Sequence, residues 1–278
     1  MTILVTGARG RVSAAVLREL VQRGESVRAA GREPAAAGLP DGVQSVRLAL
    51  ADPDGFAAAL DGVRKVFLYA EPTGIDAFLD AARGAGVEHV VLLSSLAAGE
   101  PDPESNAIGA FHVAAEQALI ASGLAWTILR PGSFATNTLL WAPSIREAGV
   151  VPSAFPNTHN SPIHEQDIAT VAVQSLLDAA HHGAVHALTG PESLTEHEMV
   201  DLLAEAVGRP IRIQQATPEE ELARLTPFAG PEVAKVLVDY RAGYDGVPAE
   251  VHDGVREVTG RPALPFARWA ADHAADFR

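Results

Sequence analysis

The chain contains no cysteine. Thiolate nucleophiles, disulfides and cysteine-ligated zinc are therefore excluded. Lysine is almost as scarce: of 21 basic residues only Lys65 and Lys235 are lysines, the rest being arginines. The only tyrosines are Tyr69, Tyr240 and Tyr244. A lysine four positions after a tyrosine can lower the phenol's pKa and make it a proton donor near neutrality. Neither lysine stands in that relation to a tyrosine; Lys65 precedes Tyr69, in the reverse order and along an extended run. Long apolar stretches are missing too. No run approaches the length of a membrane span, and the first residues lead into a strand-like segment without a secretory pattern. We therefore expect a cytoplasmic protein with no membrane partner. Positive charge is also in deficit, the formal net charge being −14. With no basic stripe to override it, a nucleic-acid partner is not expected. Any anionic ligand must be held by local devices, such as a helix N-terminus or single arginines.

What is present points to an α/β protein. The 278 residues, 47% of them hydrophobic, suffice for one large domain or a domain with a smaller lobe. From residue 2 to about 130, short apolar β-rich runs alternate with helical stretches. Strands are expected at Thr2–Thr6, Ser26–Ala30, Ser45–Ala49, Lys65–Ala70, His89–Ser94 and Trp126–Arg130. Val12–Gln22 and Phe111–Ile120 carry apolar residues at helical spacing. Strands this apolar are buried on both faces, which predicts a doubly wound parallel sheet with ligands at its carboxyl edge. After Pro131-Gly132 the regularity weakens. Val151–Pro162 reads as a long loop, Glu165–Leu177 as a helix and Val185–Thr189 as a strand. Glu196–Val207, Pro218–Leu225 and Pro231–Tyr240 read as further helices. The expected division is a dinucleotide-binding domain over 1–130 and a smaller lobe over 131–278. Part of 160–190 is expected to pack back on the first domain.

The local chemistry begins with TGARGRVSAAV, residues 6–16. A strand, then Gly7-x-x-Gly10-x-x-Ser13, then a helix is the context in which a glycine motif points to a nucleotide. Gly7 would permit the tight turn and Gly10 the approach of a pyrophosphate; the third position only lets helix and strand pack closely. Ser13 therefore weakens the motif and leaves the phosphate cradle in place. The amides of Gly10, Arg11 and Val12 are expected to face the phosphates, helped by the helix dipole. An ordinary strand-to-helix turn would read the same way, and the second strand tips the balance. It ends Ala30-Gly31-Arg32-Glu33 instead of on the carboxylate that binds a ribose 2′-hydroxyl. The Arg32 guanidinium suits a 2′-phosphate, with Arg9 in reserve, so NADPH is expected over NADH. The alternative is that Arg32 is a solvated loop residue.

Several segments, in this order, carry a family likeness. They are GARGRVSAAV, VRAAGREP, ADPDGFAAALDGVRKVF, FHVAAEQALIASGLAWTILRPGSFATN, SPIHEQDIA and ALTGPESLT. Together they resemble the NmrA-like, atypical short-chain dehydrogenase/reductases, nearest the quinone oxidoreductase type 2 branch, over residues 1 to about 215. The resemblance implies an extended Rossmann fold, NADP(H) as cofactor and a reductase of quinones or related carbonyl compounds. The family also has members that bind the cofactor as sensors without turnover. Ser13 departs from the pattern, and so does Ala49, where relatives often carry a carboxylate for the adenine amino group. Leu50 is left beside the adenine, and Tyr69-Ala70 beside the nicotinamide ribose.

Hydride transfer to a quinone asks little of the protein, since the cofactor supplies the hydride and a histidine or water can supply the proton. His112 matches the family's histidine, one turn before Glu116, and is the candidate donor, oriented and charged by that carboxylate. A structural His112–Glu116 pair is the alternative. Ser94 ends the fifth strand, where its hydroxyl can meet a substrate oxygen or simply cap a turn. Phe134 and Asn137 match pocket-lining positions, an aromatic wall for a flat acceptor, although core packing explains Phe134 equally well. His164 is expected to face the pocket. Asp52 before Pro53 reads as a helix N-cap. His181 and His182 read as surface residues compensating a helix dipole. The spacing of His159 and His164 is no metal signature, and no metal is expected. A small apolar or aromatic carbonyl substrate is the expected partner, with a homodimer possible. Three readings remain open: an NADPH-dependent reductase, a non-catalytic NADP(H) sensor, and an isomerase or lyase that has lost the dinucleotide.

Overall fold

Most apolar runs of the first half become strands covered on both faces, the exception being the exposed edge strand at Gln44–Arg47. The computed structural model describes residues 2–34 and 38–278. Its first elements are β1 (Thr2–Val5), α1 (Arg11–Gln22), β2 (Ser26–Gly31), β3 (Gln44–Arg47), α2 (Phe56–Leu60), β4 (Val63–Tyr69) and α3 (Ile75–Gly84). Then come β5 (His89–Leu93), α4 (Ala107–Ala121), β6 (Ala125–Pro131), α5 (Ala142–Ala148), β7 (Val150–Ser153), β8 (His159–Asn160) and α6 (Glu165–Leu177). The chain ends with β9 (Ala184–Leu188), β10 (Leu194–Thr195), α7 (Glu196–Val207), β11 (Arg212–Gln215), α8 (Pro218–Ala229), α9 (Pro231–Gly243), α10 (Gly254–Thr259) and α11 (Phe266–Asp272).

Among the described residues seven strands form one sheet, ordered β3-β2-β1-β4-β5-β6-β9, and every pairing is parallel. A parallel sheet must be sheathed by helices on each side. On one face Val16 and Leu20 of α1 pack with Ile168 and Val171 of α6. On the other, Phe56, Phe78 and Leu119 bring in α2, α3 and α4. Each such side chain contributes about 1.5–3 kcal/mol of apolar burial. The strand order reverses between β1 and β4, and at such a switch point a crevice opens above the carboxyl ends.

The second half does not stand apart. Strand β9 extends the sheet beside β6. Val255 of α10 enters the core that holds Ile168 and Leu188. Arg261 bonds the fully buried Asp167 at 2.8 Å, and the Leu264 amide donates to the same carboxylate at 2.7 Å. What remains surrounds a separate core containing Trp141, Ile145, Met199, Leu203, Trp269 and Phe277.

Helices α6 and α7 occupy the spans read from the pattern. Thr195 and Glu198 form a reciprocal capping box on α7, and Gly208 closes it at φ +78°. Two expectations are corrected. Residues 151–162 are not all loop: β7 pairs with β11 and β8 with β10. Both strands are short, and Pro152 within β7 obscures it, because proline marks a run as non-strand or edge. Asp52 is the N-cap of a 3-10 turn over Pro53–Gly55, yet its carboxylate reaches Arg47 at 3.2 Å instead of the turn's amides. His181 and His182 do end a short 3-10 turn, with His182 exposed, and both also meet other rings. The His182 ring lies 4.3 Å from that of His89, and the His181 ring 5.2 Å edge-on to that of His186, at the amino end of the sheet.

Candidate cofactor and substrate site

The chain leaves β1 through a turn that only glycine fits comfortably. Gly7 has φ +65°, and a Cβ there would lie 2.8 Å from Cδ2 of the Tyr69 ring. Gly10 is the N-cap of α1, but its amide donates to the Gly7 carbonyl at 2.7 Å. This corrects the expectation for Gly10, whose backbone serves the turn. The first helical bond runs from the Ala14 amide to the Gly10 carbonyl at 2.9 Å. The amides of Arg11 and Val12 precede it and remain for an anion at the positive end of the helix. The Val12 side chain is buried in the core. Ser13 is fully buried, and its hydroxyl donates to the Thr6 carbonyl at 2.8 Å. It thus stitches α1 to the end of β1 where a glycine would only have given clearance.

Because β1 and β4 are neighbours, Tyr69 at the end of β4 reaches this turn. Its amide donates to Thr6 Oγ1 at 2.8 Å, and its ring lies on Gly7 and Gly10. Burial raises its phenol above the ordinary tyrosine value, which makes it a poor acid at neutrality. Both lysine ammonium groups are engaged elsewhere. Lys65 donates to the Leu176 carbonyl at 2.5 Å and Lys235 pairs with Asp239.

Arg32 is exposed just past the end of β2, and Arg9 forms an exposed pair with Glu33 at 3.0 Å. Such a pair contributes little and is readily exchanged for a better anion. The Leu50 side chain packs in the core with Phe56 and Ile75, so only its backbone is open to an adenine. The Leu50 carbonyl abuts Gly74, where a Cβ would come within 2.0 Å of it. Ala70 is half-buried, its amide on the Leu93 carbonyl at 3.3 Å.

At the ends of β5 and β6 stands a buried polar network. Ser94, only 2% exposed, donates its hydroxyl to Glu116 Oε1 at 2.5 Å. Arg130 grips the same carboxylate with two bonds, Nε at 3.0 Å and Nη2 at 2.6 Å. Glu116 therefore joins α4 to two strand ends, and two sequence expectations change. The Ser94 hydroxyl is bonded to protein, not aimed at a ligand. Glu116 does not hydrogen-bond His112, whose Nδ1 is buried with no partner among the described residues. Burial lowers the His112 pKa and the Glu116 charge opposes this only in part, so the imidazole is neutral near pH 7. Nothing local in the sequence marks Arg130 as Glu116's partner. The adjacency of β5 and β6 was the available signal, since it places Arg130 beside Ser94.

Phe134 is half-buried against the core and bridges Ile163, and Asn137 is exposed three residues on. His164 does not face a pocket, contrary to expectation. Its Nδ1 accepts the Gln166 amide at 3.1 Å as the N-cap of α6, and Nε2 lies 3.4 Å from Asp272 of α11. Next to it, burial would raise the Glu165 carboxyl, but the His164 imidazole beside it and the hydrogen bond from His273 outweigh this and hold it well below the usual carboxylate range. Glu165 also accepts the Trp269 indole at 2.9 Å, so the cluster clamps α11 onto α6.

The likeness to known proteins extends over the whole chain. Residues 7–179 match the family model described as NAD(P)H-binding. The chain is 39% identical to a (4-alkanoyl-5-oxo-2,5-dihydrofuran-3-yl)methyl phosphate reductase of Streptomyces griseus, with 99% of each chain covered. It is 35% identical to an NAD(P)H azoreductase of Xenophilus azovorans, again over 99% of each. The structure of an Escherichia coli NADPH-dependent quinone oxidoreductase superposes with a TM-score of 0.79 at 25% identity, covering 97% of this chain and 98% of that one. With its family model matched over more than half of its length and reductases aligned nearly end to end, the chain belongs to the NAD(P)H-binding family of reductases.

Proposed function

We propose that this protein is an NADPH-dependent reductase that delivers hydride to a flat, electron-poor conjugated acceptor, such as a quinone, an enone or an aromatic carbonyl compound. The observation that carries it is the glycine turn at the switch point, with the Arg11 and Val12 amides ahead of the first helical bond of α1, Arg9 in the turn and Arg32 just beyond β2. The named activities of the relatives support it, because an unsaturated lactone, an azo bond and a quinone are all conjugated acceptors. The residues present fit such a cofactor. The Arg11 and Val12 amides would hold the pyrophosphate, with Gly7 and Gly10 giving it clearance. Arg32, with Arg9 released from Glu33, would hold the 2′-phosphate. The Leu50 backbone would border the adenine, and Tyr69 and Ala70 the nicotinamide ribose. The cofactor would supply the hydride.

The chain then has to bind the acceptor and move one proton. His112 is the proposed donor, its buried Nδ1, without a partner among the described residues, being costly to leave unmatched. Phe134 and Asn137 are the proposed acceptor-lining residues. Ser94 and Glu116 act through Arg130 as positioning residues for the strand ends.

Purified protein is expected to oxidise NADPH when given menadione, with NADH poorer. The rate should fall as pH rises through a value below the ordinary histidine pKa of about 6.5, because the acid form of His112 is needed. NADPH binding without turnover across a broad acceptor panel would overturn the proposal. The Tyr69 ring on the turn favours a second reading, in which the fold has lost the dinucleotide. A melting temperature unmoved by NADPH or NADP would support that one.

A further inference from the structure

The C-terminal helices present a rigid aromatic surface that nothing above employs. Tyr240 on α9 and Tyr244, the C-cap of that helix, lie one turn apart, with ring centroids 4.4 Å apart and planes 28° from parallel. Tyr240 is 43% exposed. An exposed aromatic on a surface helix is ordinarily free to move, but this helix is fixed from its other side. Arg241 sits between two buried carboxylates, Glu196 at 3.1 Å and Glu221. Ser153 donates to Glu196 at 2.5 Å, and the Ala154 amide to Glu221 at 2.8 Å. The end of the helix is latched as well. Thr158 Oγ1 donates to the Arg241 carbonyl at 2.9 Å and the Asn157 amide to Asp245 at 3.0 Å.

Helix α9 packs against α4, the helix that carries His112 and the exposed Phe111, whose rings meet edge-on at 5.3 Å. Burial raises the Tyr240 phenol first, and the charges of Tyr244 and Glu100 raise it further. Glu100 follows the 3-10 turn Leu96–Gly99 that leaves β5 at the sheet's carboxyl edge.

We propose that the stacked Tyr240–Tyr244 pair is the platform on which a planar conjugated acceptor lies, forming the wall that α9 adds beside α4. The inference rests on the reductase reading and narrows it: fused, flat acceptors are preferred to small or puckered ones. Ring contact supplies the selectivity and the phenol hydroxyl is dispensable. A stacked aromatic contact is worth about threefold to tenfold in affinity.

The test is calorimetric binding of menadione to the protein–NADP complex, which needs no turnover, repeated with Tyr240→Ala and Tyr240→Phe. Tyr240→Ala is expected to weaken menadione about threefold to tenfold, and Tyr240→Phe to bind as the wild type does. NADP affinity and melting temperature should stay unchanged, since the side chain lies outside the core. In turnover, KM for menadione should rise in Tyr240→Ala with kcat held, while KM for a small acyclic enone stays within about twofold. Unchanged menadione affinity, equal losses on both acceptors, or no menadione binding by wild type would overturn the platform. A protein that binds menadione through Tyr240 without oxidising NADPH would keep the platform and remove the reductase reading. Turnover indifferent to Tyr240 would do the reverse.

Discussion

At the amino ends of its strands the sheet is bordered by packed histidine rings, and at the carboxyl ends by the glycine turn and the Glu116 network. His89, at the start of β5, bonds Thr127 through Nε2 at 3.0 Å and stacks on His182. Thr127 in turn donates to the His181 carbonyl at 2.7 Å, and Lys65 to that of Leu176. At the other edge the Arg11 and Val12 amides precede the first helical bond, and Tyr69 and Tyr240 are partly exposed. His89 and His112 each have a buried Nδ1 without a partner among the described residues, and burial lowers the pKa of both. Neither burial nor titration separates the structural histidine from the candidate functional one. The surroundings do: the His182 ring packs on His89 at the start of its strand, whereas His112 lies on α4 edge-on to the exposed Phe111.

This contrast can be broken by experiment. The largest effect should come from Glu116→Ala, which strips the carboxylate from Arg130 and Ser94 and leaves a partly buried charge unpaired. A loss of about 3 kcal/mol or more in urea unfolding is expected. A loss under about 1 kcal/mol would mean that the network does not hold the strand ends. The next effect belongs to the amino edge. Burial, followed by the charges of His182, Lys65 and His181, pushes the His89 pKa down to about 3. A histidine lowered in the folded state binds its proton preferentially when unfolded. Stability is therefore complete above about pH 6.5 and lost as pH falls towards 3. Between pH 7 and 5 the wild type should lose about 2 kcal/mol through this group. His89→Asn should flatten that slope, and an unchanged slope would assign the acid sensitivity elsewhere. The smallest effect is local to the carboxyl edge. Arg32→Ala should weaken NADPH about tenfold in a fluorescence titration and leave NADH nearly unchanged. Equal losses for both cofactors would make Arg32 a bystander.

The first half was legible because its signals are local. An apolar run reads as a buried strand, and Gly7 and Gly10 announce the turn they make. The spans of α6 and α7 were equally plain. The site was harder to read. Glu116 lies 22 residues from Ser94 and 14 from Arg130, and only the pairing of β5 with β6 under α4 brings the three together. From spacing alone His112, one turn away, looked like the natural partner. His164 misled in the same way, being drawn into the α6 cap and α11 by contacts 108 residues apart in sequence. The Tyr240 surface leaves no local mark, since what fixes α9 is an ion network drawn from several segments.

The path of the chain limits how the crevice can open. It leaves the sheet after β6, returns for α6 and β9, leaves again for α7 to α9, comes back for α10 and departs once more for α11. A lobe laced to its base by so many crossings cannot swing on a single hinge. Admission and release must come from small sliding of packed helices.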